Sequence, residues 1–148
     1  MDKEESVYRA SLLLVQHFRD CLERGGKGFH SRVFTYFLHP EQHFVAVGQS
    51  QAVIDGEPSH PEHLVPCAVL INESCRLIDE GVKDADIAAL LAKHWKIGFI
   101  SKQQANHLDS KNGLGLKHRM PESWEFETGS PYERLKRGQI ELLPLAGT

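Results

Sequence analysis

Residues 59–67 read SHPEHLVPC. The reading of this stretch decides the fold, because the hydrophobic pattern changes period across it. HLV at 63–65 reads as a short strand. From Cys67 the apolar positions take helical spacing. Cys67, Leu70, Ile71, Ser74, Cys75 and Ile78 fall on one side, and Gly81 stands where a helix would be capped. Extended chain therefore gives way to helix at Pro66. Sheet is expected before this point and helices are expected after it.

Upstream, VFTYFLH at 33–39 is rich in aromatic and β-branched residues and predicts a strand. HFVAVGQ at 43–49 and QAVI at 51–54 predict two further strand segments, or one strand bent at Gly48. HPEQ between the first two is expected to be a hairpin loop, since Pro40 cannot donate to a ladder. DGEP at 55–58 is a turn. The strand at 63–65 would then close a small antiparallel sheet. Before the sheet, residues 6–24 predict a helix capped by Ser6 and ended by Gly25 and Gly26.

Downstream, DADIAALLAKHW at 84–95 predicts a helix with Asp84 as its cap, and IGFI at 97–100 a short strand. SKQQ at 101–104 matches a capping box and opens a helix that NGLG at 112–115 breaks. MPESW at 120–124 is an ordered turn. SPYE at 130–133 is a second capping box with Pro131 at the first helical position. Gly138 ends that helix, and IELL at 140–143 is a closing strand. Together these elements predict one α+β domain over residues 1–148, a small antiparallel sheet packed with several helices.

The chain has 148 residues, 41% hydrophobic and 25% charged, enough for one cored domain. No apolar run approaches the roughly 20 residues of a membrane span, so no membrane is expected among its partners. The opening MDKEESVYRA is acidic and polar and shows no signal or transit pattern. Cys21, Cys67 and Cys75 are expected as reduced thiols in a cytoplasm. The net charge of −3 argues against a dedicated nucleic-acid-binding module, which needs basic surplus to neutralise phosphates. It leaves room for a local basic patch. Nine histidines are the main compositional signal.

Several of those histidines cluster. His60 and His63 stand three apart in HPEH, close enough to bite one ion, with Pro61 stiffening the chain between them. Glu62 or Cys67 could add a ligand. His39 and His43 repeat the pattern in HPEQH. The competing reading is a solvated turn, since the chain carries neither CxxC nor HExxH. Cys67 as a nucleophile, with His63 or His60 as base, is a further reading. It stands just after Pro66 near a helix N-terminus, where an anion is favoured.

EHLVP at 62–66 resembles the [D/E]-H-[I/V]-[I/V]-P core of HNH nucleases of the ββα-metal class. That resemblance implies His63 as general base, Glu62 as metal ligand and Asn72 as the residue that orients the base. ISKQQANHLD at 100–109 looks like the helix that carries the last ligand of such sites, which would be His107; His60 would be an auxiliary ligand or phosphate contact. The implied cofactor is a divalent ion (Mg, Mn or Zn), and the implied partner is nucleic acid. The chain departs from the pattern in having Glu62 where Asp is usual and two helices inside the finger. The three segments HPEHLVPC, ISKQQANHLDSKNGLGLKHRMPESW and SPYERLKRGQIEL also resemble a set of small bacterial proteins of unassigned function that share HEHVVP and GLK..MP..W segments.

The leading expectation is therefore divalent-metal-dependent phosphodiester hydrolysis. The alternatives are a non-catalytic interaction protein and a metal-binding protein without hydrolytic activity. Among the remaining groups, His94 is expected in the core with one satisfied hydrogen bond. His17 is expected on the polar side of the first helix, Cys21 and Cys75 as buried small hydrophobes, and LKHR at 116–119 and RLKR at 134–137 as solvated basic segments.

Overall fold

The computed structural model describes residues 1–145. Helix α1 (Lys3–Glu23) starts three residues earlier than the apolar pattern suggests. Its cap is Asp2, whose Oδ1 accepts from the Glu5 amide at 2.7 Å, rather than Ser6. The next three short segments differ from expectation. Val33–Phe37 is a helical turn (α2), Glu41–Val45 another (α3), and only Ala46–Gln49 is strand (β1). Gln51–Ile54 is a further turn (α4), held by Ser50 Oγ on the Val53 amide.

The physical reason shows in which side chains face inward. Phe34 and Leu38 are buried, Val33 and Phe37 pack against the core, and Tyr36 is 74% exposed. A strand would have turned Phe34, Tyr36 and Leu38 to one side. The i, i+4 spacing of Phe34 and Leu38 wins over β-prone composition because it buries more apolar surface. In α3, Glu41 and Val45 point inward with the same spacing.

Strand β2 (Ser59–His63) leads through Leu64–Pro66 into α5 (Cys67–Asp79). A second helix, α6 (Asp84–His94), runs back to β3 (Ile97–Ser101). Helix α7 (Lys102–Asp109) follows directly, and α8 (Glu133–Arg137) comes after a long irregular segment. The Ser101–Gln104 capping box forms as expected. The second box does not: Ser130 Oγ accepts from the Tyr132 amide, and helix begins only at Glu133.

The fold is α+β, with a three-stranded sheet ordered β1–β3–β2. The sheet is mixed rather than wholly antiparallel: β2 runs antiparallel to β3, and β1 runs parallel to it. Leu143, in the expected closing strand, makes only an isolated bridge to Gln49. Central β3 is buried on both faces. Ile97 joins the larger core with Leu14, Phe18, Leu91 and Trp95, while Ile100 joins a smaller one with Leu64, Leu108 and Leu135. Helices therefore cover both sides of the sheet, and the carboxyl end of β2 is left at the mouth of a cleft. Among the described residues no helix is long and apolar enough to cross a membrane.

Candidate active site

The cleft at the end of β2 has a volume of about 640 Å³. Its walls gather residues distant in sequence, including Arg32, Glu41, His60, Glu62, His63, Cys67, Asp109 and Lys117. Each is placed by a local feature already described. His63 ends β2, where pairing with Ile97 fixes its backbone. Cys67 is the first residue of the 13-residue helix α5. Glu41 is the first residue of α3, turned inward with Val45.

At the centre, His63 Nε2 donates to Glu41 Oε2 at 2.8 Å. The same oxygen accepts from the indole Nε1 of Trp95 at 2.7 Å. Trp95 is 1% exposed and Glu41 is 8% exposed, so this carboxylate is held in a dry, hydrogen-bonded position. The Phe34 ring lies against His63, with centroids 6.4 Å apart. The Cys67 thiol stands close enough to the imidazole to affect its charge. Burial pushes His63 towards the neutral form, but hydrogen bonds and charge from Cys67 and Glu41 outweigh it and raise its pKa to about 10. Burial likewise opposes ionisation of Glu41; His63 and the Trp95 hydrogen bond overcome it and hold the carboxyl below its ordinary value.

A second network lies beside the first. Arg134, from α8, is 1% exposed. Its Nη2 donates to Glu62 Oε1 at 2.8 Å and to Asp109 Oδ1 at 2.9 Å. Its Nε donates to the Leu116 carbonyl at 2.7 Å and its Nη1 to the His63 carbonyl at 3.2 Å. The other Glu62 oxygen accepts from His60 Nε2 at 2.9 Å. Arg134 is thus no solvated surface charge. It ties α7, α8 and the irregular segment at 116 to the strand end that carries His63.

The expected site residues divide accordingly. Glu62, His60 and His63 line one cleft. Asn72 is exposed on α5 and His107 is exposed on α7, and neither is among the cleft's lining residues. Glu62 has both oxygens engaged, one of them by a buried cation, and His63 Nε2 is on Glu41. As arranged, these donors do not fit a divalent ion. Among the described residues no group of three or more His, Cys, Asp or Glu side chains is placed to hold one. Glu41, Trp95 and Arg134 are the functional candidates the sequence reading missed. For Glu41 a signal was present, since it lies in the upstream HPE that repeats the one at 60–62.

Elsewhere, His94 is buried as expected, and its Nε2 donates to the Phe126 carbonyl at 2.7 Å. His17 departs from expectation: it is half-buried among the rings of Phe18, Phe29 and Phe37. Cys21 and Cys75 are only partly buried. A larger groove of about 870 Å³, between α1 and α6, carries no histidine or cysteine. No protein-family model, curated protein or solved structure matches the chain.

Proposed function

We propose that the chain is a thiol-dependent acyl-transfer or hydrolytic enzyme in which Cys67 is the nucleophile, His63 the base and Glu41 the group that orients the base. One observation carries the reading: a buried carboxylate, an imidazole and a thiol line one cleft, the carboxylate hydrogen-bonded to the imidazole and the thiol at the start of a long helix. A nucleophile beside a base that is itself oriented by a third group is the general signature of covalent catalysis.

The chemistry follows from the parts. Imidazolium and the amino end of the α5 dipole both favour negative charge on sulfur. The thiolate attacks an acyl carbonyl carbon and the C–S bond forms. The bond to the leaving group breaks, and that group takes its proton from His63. Water then attacks the acyl-sulfur bond, giving a proton to His63, and the acid departs as the thiol is restored. The first amides of α5 have no intrahelical partner, and Cys67 and Ala68 supply donors for the oxyanion. Glu41 stays ionised throughout and holds the ring in one orientation.

The test is selective alkylation. At pH 7, iodoacetamide is expected to modify Cys67 at least about tenfold faster than Cys21 or Cys75, with His63→Ala removing the difference. Equal rates at the three thiols, measured by peptide mass spectrometry, would sink the reading.

A second reading is favoured by one topological observation. β2, β3 and α7 form two antiparallel strands followed by a helix, the order of a ββα nuclease finger, with α5 and α6 inserted between the strands. In this reading His63 acts as base towards nucleic acid. It predicts plasmid nicking that is lost in His63→Ala and survives Cys67→Ser. The thiol reading predicts no nicking.

A further inference from the structure

The His63 cleft is lined by cations as well as carboxylates, and they differ in whether they are paired. Its carboxylates are Glu41, Glu62 and Asp109. Glu41 is taken by His63, and Arg134 takes both Glu62 and Asp109. Two further cations line the same cleft, Arg32 from the segment before α2 and Lys117 from the segment after α7. Neither makes a salt bridge among the described residues. Arg32 reaches only the ring of His30, through Nε at 3.3 Å. His118, next to Lys117, also lines the cleft.

We infer that Arg32 and Lys117 form a clamp for an anionic group, a carboxylate or a phosphate, carried by the substrate that reacts at Cys67. The clamp deepens the thiol reading and rests on it for the reacting centre. Its physical basis is separate. A guanidinium and an ammonium on different segments of one concave surface raise the local concentration of anions and fix the orientation of the one that binds. Each carboxylate of the cleft already has a cationic partner within the protein, Glu41 in His63 and Glu62 and Asp109 in the shared Arg134. The substrate class is therefore a small ester or thioester with a carboxylate or phosphate, not a neutral or cationic acyl donor.

Binding and turnover test the two ideas separately. Succinate and inorganic phosphate are titrated into the protein at constant ionic strength, following the ring-proton resonances of the histidines. Saturable binding of at least one anion is expected, weakened at least about tenfold in the Arg32→Glu, Lys117→Glu double variant. Binding of succinate alone identifies a carboxylate, and binding of phosphate alone identifies a phosphate group. Non-saturating titrations with both anions, or equal affinity in the double variant, would overturn the clamp. Both positions are exposed, so a circular-dichroism melt checks that the variant is folded. For turnover, mono-S-phenyl thiosuccinate is expected to be preferred over S-phenyl thioacetate, and the ratio of their kcat/KM values to fall towards one in the double variant. Anion binding without Cys67-dependent turnover of either thioester would remove the thiol reading and leave the clamp. Turnover with a preference the double variant does not change would do the reverse.

Discussion

At the scale of single residues, the carboxylate of Glu41 sets the state of the site. It is the hydrogen-bond acceptor for both His63 and Trp95, and its charge helps keep the imidazole protonated. Glu41→Gln keeps the shape but removes the charge and presents an amide that cannot accept from both donors equally well. Reactivity of Cys67 towards iodoacetamide at pH 7 is expected to fall roughly tenfold, and its pH profile to move upward. An unchanged profile in a folded variant would remove Glu41 from the site. The histidines and the cysteine of this cleft were legible in the sequence because their types and spacing announce chemistry. Glu41 was not. An acidic residue after a proline reads as a turn, and only the packing of α3 against Trp95 makes it a buried anion. Arg134 was hidden for the same reason: a basic tetrapeptide gives no sign that its first residue is 1% exposed.

Among the elements, periodicity was informative where a segment was long and misleading where it was short. The helices α1, α5 and α6 followed from spacing, although neither Ser6 nor Asp84 is the cap it was expected to be, and the capping box of α7 followed from its residues. The segments 33–37 and 51–54 are single turns, too short for a period to establish itself, and their β-branched and aromatic content pointed the wrong way. The parallel pairing of β1 with β3 joins strands far apart in sequence and is set by tertiary packing alone. One residue ties several of these elements together. Gln104 Oε1 accepts from the Ser101 amide and from Ser50 Oγ, each at 2.8 Å, so a single side chain completes the cap of α7 and holds the cap of α4. Gln104→Ala is expected to cost about 2 kcal/mol in urea denaturation, against about 1 kcal/mol for loss of one ordinary cap. A cost no greater than that of Gln51→Ala, on exposed α4 surface, would show the shared cap to be energetically silent.

Across the whole molecule, two histidines bound the pH range of stability from opposite sides. His63 has its pKa raised to about 10 in the folded protein. Its contribution is complete below the ordinary value of 6.5 and is lost as pH rises through about 10. Burial, outweighing the Phe126 carbonyl and reinforced by the charges of Lys93 and Lys96, lowers His94 to about 4. Its contribution is present above 6.5 and is lost as pH falls towards 4. Thermal unfolding is therefore expected to give a dome of Tm against pH with its crest near 6.5. His63→Gln should flatten the alkaline limb and leave the acid limb in place. A Tm that climbs steadily from pH 6.5 to 9 would contradict the assignment of His63.

The insertion of α5 and α6 between two neighbouring strands also bears on the order of events during folding. β2 and β3 lie side by side, with the Leu64 amide on the Lys96 carbonyl, yet they cannot zip from a tight turn as a hairpin does. The entropy of closing that excursion must be met first, and it is smallest once α5 and α6 have docked on α1. The transition state is thus expected to hold Leu14 and Leu91 in native contact while the strands are still apart. Truncating either leucine should slow refolding, whereas Ile100→Val should chiefly speed unfolding. On this route the histidine at the end of β2 is among the last parts to reach its place, so the cleft is assembled only after the rest of the molecule has committed to its fold.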